Sequence, residues 1–141
     1  MTQSTYQPIS RLDGKVAVII GGAGAIGEAT ARHFAALGAR VALVHRSDDP
    51  ARTQPILQSL SGTGHKFYTA SVTDSVSLKA VAAQIQADMG AANILVNSAG
   101  FTQPVPLNDL EALSDELIDS IFQVNWRGVF ASIRAFTPQM K

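Results

Sequence analysis

Residues Lys15–Gly27 read KVAVIIGGAGAIG. An apolar run, Val16 to Ile20, ends in a cluster of glycines, and an amphipathic segment opens at about Gly24. Strand, glycine turn and helix in that order form the setting in which a glycine-rich motif points to dinucleotide binding. Gly22, Gly24 and Gly27 match G-x-G-x-x-G, and Gly21, Ala25 and Gly27 match the looser G-x-x-x-[GA]-x-G. The turn needs backbone with positive φ, which glycine adopts without a Cβ clash. A diphosphate must come close to the main chain. The helix beyond the turn offers it unpaired N–H groups and the positive end of its dipole. The last glycine lets that helix sit tightly on the strand.

Working outward, the helix places Ile26, Ala29, Thr30, Phe34 and Leu37 on one face and stops at Gly38. His33 reads as a surface residue of that helix. Arg40 to Arg46 is the second strand, and its continuous Val41–Val44 core implies burial on both faces, as in a parallel sheet. Ala51 to about Leu60 reads as a second helix, with Pro55 obscuring where it starts. His65 to Val72 is the third strand. Asp74 or Ser75 caps a helix whose face is Leu78, Val81, Ala82, Ile85 and Met89, and Gly90 ends it. Asn93 to Asn97 is the fourth strand, followed by the turn Ser98-Ala99-Gly100 and a proline-containing loop to Leu113. Ser114, with Asp115 and Glu116 behind it, starts a long helix to about Phe136 that is apolar on several sides. Such a helix is buried or lies at an interface, and Trp126 is expected to pack there.

Alternating strands and helices imply right-handed crossovers and a parallel sheet with helices on both faces. The expected architecture is α/β, a Rossmann-type doubly wound sheet in the order 3-2-1-4, spanning residues 11–141 behind a flexible tail at 1–10. The 141 residues are 46% apolar and 16% charged, enough apolar content to bury a core. Eleven basic residues balance eleven acidic ones, so net charge makes no case for nucleic acid or a membrane surface. Without cysteine there is no disulfide, zinc-thiolate site or thiol nucleophile, which fits a cytoplasmic protein. His33, His45 and His65 fall on separate elements and lack metal-ligand spacing.

Several segments, in order, resemble the short-chain dehydrogenase/reductase family. Leu12-Asp13-Gly14-Lys15 is similar to its lead-in to the first strand, and Gly21-x-x-x-Ala25-Ile26-Gly27 to its cofactor loop. Ser71-Val72-Thr73-Asp74 resembles the segment after its third strand, and Asn97-Ser98-Ala99-Gly100 its Asn-Asn-Ala-Gly turn. Val124-Asn125, with Gly128 and Phe130 beyond, resembles the helix that bears its catalytic asparagine. The departures are Ile20 for Thr, Ala25 for Gly, Ser71 for an acid near the adenine, and Ser98 for the second Asn.

The resemblance implies an oxidoreductase that moves hydride between a nicotinamide cofactor and a small-molecule carbonyl or alcohol. It implies cofactor contacts from Gly21, Gly24, Ile26, Gly27, His45, Arg46, Ser47, Ser71, Val72, Asn97, Ala99 and Gly100. Asn125 would hold a water in a proton relay, although a helix-interior asparagine bonded to backbone reads equally well. Asn97 is open in the same way, to the ribose or to local backbone. Phe101 to Val105 would border the substrate. The end of the second strand chooses the cofactor: an acid there binds a ribose 2′-hydroxyl, whereas Arg suits a 2′-phosphate. His45 stands at the acid's position, followed by Arg46 and Ser47, which favours NADP(H). NAD(H) stays open if Asp48 or Asp49 reaches the ribose. The family's Ser and Tyr-x-x-x-Lys do not occur: the tyrosines are Tyr6 and Tyr68, and neither has Lys four positions on. A fragment lacking a fifth strand is therefore expected, the cofactor-binding half of an enzyme and inactive alone. An uncovered apolar edge at Ile94–Val96 and the multi-faced last helix point the same way, and imply a homo-oligomer or a separate C-terminal half.

Overall fold

The structure, a computed structural model, describes residues 10–140, so Met1–Ile9 of the expected tail lie outside the described residues. Strands β1 (Val16–Ile20), β2 (Arg40–His45), β3 (Lys66–Thr69) and β4 (Ile94–Asn97) form one parallel sheet in the order β3-β2-β1-β4. The register pairs Ile20 with both Val44 and Asn97, and His45 with Thr69, so the C-terminal ends of the strands lie level. Helices α1 (Ala25–Ala36) and α2 (Pro50–Ser59) cover one face. Helices α3 (Ser75–Met89) and α5 (Gly128–Phe136) cover the other. Val16, Val18 and Ile20 point to the α3/α5 layer and Ile19 to the α1/α2 layer. This is the two-faced burial that the unbroken apolar run predicts.

The helices begin and end where their chemistry dictates. Asp74 accepts hydrogen bonds from the backbone N–H groups of Val76 and Ser77 at 2.9 and 3.1 Å, capping α3. All five predicted face residues of α3 are buried, and Gly90 closes it at φ +92°. Pro50 opens α2, one residue earlier than expected, since a first-turn position has no N–H partner to lose.

Three elements differ from expectation. The buried face of α1 is Gly27, Ala31 and Ala35, and Ile26 is 72% exposed. The helix meets the sheet through small residues because the glycine loop draws it in: a Cβ on Gly27 would collide with the Gly21 carbonyl oxygen and stand 2.9 Å from Gly22 Cα. Strand β3 starts at Lys66, because His65 leaves the ladder and uses its ring instead. Its Nδ1 accepts from the Val41 N–H at 3.1 Å, and its Nε2 donates to the Ser61 carbonyl at 3.0 Å.

The third difference lies in the last helix. It runs as α4 (Asp115–Phe122), a π turn (Gln123–Arg127) and α5. Ser114 caps it through the Leu117 N–H. Its second half buries Gly128, Ala131, Ser132 and Phe136, whereas α4 buries no residue fully. Ile118, Phe122, Trp126, Phe130 and Ile133 are exposed, with Phe122 and Trp126 stacked at 5.0 Å. No helix among the described residues is long and apolar enough to cross a membrane.

Candidate functional site

Level strand ends leave a cleft of about 520 Å³ at the C-terminal edge of the sheet. It opens where β1 hands over to β4, the switch point at which doubly wound sheets take their ligands. Two crossings of backbone build its floor. The Gly21 and Gly22 N–H groups both donate to the Val44 carbonyl, at 2.8 and 3.0 Å. The Ser98 N–H and hydroxyl both donate to the Ile20 carbonyl, at 2.9 and 2.8 Å. The turns after β1 and β4 thus touch. Gly21 has φ +83°, and a Cβ there would stand 2.6 Å from Ala99 N. Bare backbone is required at this crossing. It leaves Gly21 and Gly24 facing the cleft with no side chain in the way, and no side chain caps the first turn of α1. These features fit a diphosphate.

Of the residues the sequence singles out, Gly21, Gly24, His45, Arg46, Ser71, Val72, Ala99 and Gly100 line the cleft, as does Phe101. Ile26, Gly27, Ser47, Asn97 and Asn125 do not. Gly27 holds α1 against the loop. Asn97 points to the α5 side, where its side chain bonds the buried Ser132 hydroxyl. Asn125 lies in the π turn and clamps the loop after β4: its Oδ1 accepts from the Phe101 N–H and its Nδ2 donates to the Phe101 carbonyl, both at 2.7 Å. Its Oδ1 is also next to Gly100, 3.6 Å from where a Cβ would stand. Gly128 lets the same helix close on Val72, where a Cβ would approach Val72 Cγ2 to 2.8 Å.

Arg52, Ser120 and Gln123 also line the cleft and escape the sequence reading. For Arg52 a signal exists, a cation in the first turn of the helix that follows β2. Ser120 and Gln123 have no local signal, since they arrive from a helix folded back over the sheet. Ser71 turns its hydroxyl to Thr73 Oγ1 at 2.8 Å. His45 is held below the ordinary imidazole pKa, first by burial and then by the charges of Arg52 and Arg46. The lining contains no Asp or Glu. Among the described residues no group of three or more His, Cys, Asp or Glu could hold a metal ion.

The tyrosine on β3 is engaged elsewhere. Tyr68 is buried outside the cleft lining and donates to Asp88 at 3.0 Å. Burial and the Asp88 carboxylate push its pKa well above the usual phenol range. Its hydroxyl is thus engaged away from the cleft lining.

Sheet order, helices on both faces and a switch-point cleft define a doubly wound α/β protein. The chain belongs to the short-chain dehydrogenase family, whose description as short chain dehydrogenase matches residues 15–141. It is 37% identical over 131 residues to 2,3-dihydro-2,3-dihydroxybenzoate dehydrogenase of Bacillus subtilis, covering 92% of this chain and 48% of that protein. It is 36% identical over 132 residues to D-threitol dehydrogenase of Mycolicibacterium smegmatis, covering 92% and 49%. A solved short-chain dehydrogenase/reductase from Serratia marcescens superposes with a TM-score of 0.82 at 27% identity, covering 92% of this chain and 52% of that one. The chain spans about half the length of the curated relatives it matches. The family consists of oxidoreductases that use NAD or NADP.

Proposed function

We propose that this chain forms the cofactor-binding half of an NADP(H)-dependent oxidoreductase acting on a small-molecule carbonyl or alcohol. The observation that carries the reading is the cleft's charge: two arginines line it, with no carboxylate. Asp48 and Asp49, the acids that would favour NAD(H), do not line it. Bound in such a cleft, the cofactor supplies or accepts the hydride.

The chain's own residues bind and orient. Gly21 and Gly24 offer backbone to the diphosphate, and Arg46 pairs with the 2′-phosphate. Ala99, Gly100 and Phe101 wall the nicotinamide side, held there by the Asn125 clamp. Because Tyr68 is unsuited to proton transfer, the reading assigns that role to a tyrosine and lysine of the remaining half. The exposed stripe from Ile118 to Ile133 supports cover by that half or by a second copy. A cysteine-free chain supports a cytoplasmic setting.

The test is binding and turnover by the full-length gene product. Arg46→Ala should weaken NADPH more than NADH, and equal losses would refute the cofactor assignment. Steady oxidation of NADPH with a panel of carbonyls supports the enzyme reading. Binding without turnover would favour a nucleotide-binding module instead.

A further inference from the structure

We propose that Arg52, in the first turn of α2, is a second determinant of cofactor choice and grips the 2′-phosphate of NADP(H) together with Arg46. The inference rests on the NADP(H) reading above and adds a residue from a different element. Arg46 follows directly on β2, and Arg52 reaches the same cleft from the helix beyond the turn. Neither forms a salt bridge among the described residues, whereas Arg11, Arg32 and Lys66 do. The nearest acids in sequence, Asp48 and Asp49, stay out of the lining. Two exposed arginines thus line one cleft whose lining holds no carboxylate.

The backbone fixes this placement. Pro50 opens α2 and the Asp49 carbonyl accepts from the N–H groups of Arg52 and Thr53 at 3.0 and 2.9 Å. Thr53 is buried and its hydroxyl donates to the same carbonyl at 3.0 Å. Ile56 is buried in the α1/α2 layer. With Thr53 and Ile56 turned inward, the helix presents Arg52 to the cleft. All three line the same cleft, and both arginines act electrostatically on the His45 imidazole.

A phosphomonoester dianion suits such a spot, since each guanidinium can donate two parallel N–H bonds to its oxygens. A 2′-hydroxyl offers neither charge nor enough acceptors. Arg52 should therefore discriminate between the two cofactors and contribute little to what they share.

The experiment is titration calorimetry on the full-length gene product with NADPH, NADH and adenosine 2′,5′-bisphosphate. Arg52→Gln keeps a good helix former at an exposed position, so the fold is retained. It should weaken NADPH and the bisphosphate roughly ten- to hundred-fold, the loss expected for one charged hydrogen-bonding partner, and change NADH less than about two-fold. Arg52→Lys should recover part of the loss, because charge returns without the fork. The dependence of NADPH affinity on salt should also become shallower in Arg52→Gln. An unchanged NADPH-to-NADH ratio in Arg52→Gln, beside a reduced ratio in Arg46→Gln, would overturn the proposal and leave the NADP(H) reading intact. A wild-type protein that prefers NADH would overturn both.

Discussion

Replacing Gly27 with Ala tests whether the close approach of α1 to the glycine loop is what shapes the cleft. The added Cβ would meet the Gly21 carbonyl oxygen first, then Gly21 C and Gly22 Cα, both at 2.9 Å. All three are backbone atoms, so no flexible side chain can swing away. Ordinary contact begins near 3.4 Å. Those two contacts alone require roughly half an ångström of separation (3.4 − 2.9), and the nearer Gly21 oxygen requires more. Overpacking of this kind costs about 1–3 kcal/mol, and rigid surroundings place the cost near 3. At a urea slope of about 2 kcal/mol per M, the midpoint falls by about 1.5 M with the slope unchanged. Gly90→Ala is the contrast: nothing lies within 4 Å of its added Cβ, and only its φ of +92° resists. It should also destabilise, but leave NADPH binding as in the wild type, because Gly90 is outside the cleft lining. Gly27→Ala should lose both stability and binding. If it matched the wild type in urea and in NADPH affinity, the tight helix-to-loop contact would not be what fixes the site.

Other variants separate further links. His65→Ala strips the acceptor from the fully buried Val41 N–H and should cost about 1–3 kcal/mol in urea unfolding, against almost nothing if the ring were only a surface group. Asp74→Ala removes the α3 cap and should cost about 0.5–2 kcal/mol, with Asp74→Asn recovering most of it in the same assay. Phe136→Ala empties the largest fully buried side chain, where α5 closes on the sheet, and should cost about 3–5 kcal/mol. For His45 the sign follows from its depressed pKa. The unfolded chain takes up the proton first, so this contribution is complete above about pH 6.5 and is lost as pH falls through that value toward the folded pKa. The wild-type stability minus that of His45→Gln, followed by urea unfolding on both sides of pH 6.5, should decline on the acid side.

The sheet was legible because its signals are local and repeated. Val16–Ile20 and Val41–Val44 are apolar without alternation, and every residue of both runs is buried. Alternation with helices then leaves few topologies open. The face of α3 was legible because its large apolar residues recur at helical spacing. The face of α1 was not, since Gly27, Ala31 and Ala35 carry almost no hydrophobic signal. Their burial follows from how close the loop lets the helix come, which is a property of the turn and the sheet together. The π turn at Gln123–Arg127 is hidden for a similar reason. No residue in it is unusual for a helix, and its contacts lie far along the chain, Asn125 on Phe101 and the adjoining Gly128 against Val72.

The two polar departures from the family pattern show why a motif can be kept in form while its chemistry shifts. Ser98 replaces an amide with a hydroxyl, and that hydroxyl is consumed by the Ile20 carbonyl at the crossing of the two turns. Its work is structural, so the turn survives the change. Ser71 also finds a local partner, in Thr73, but both residues line the cleft. That pair of hydroxyls adds no fixed negative charge. The arginine-lined end of the cleft then faces no carboxylate anywhere along the lining. Electrostatic attraction in a partly desolvated cleft is weakened by any opposing charge nearby. Ser71 therefore adds no negative charge to the lining that Arg46 and Arg52 share.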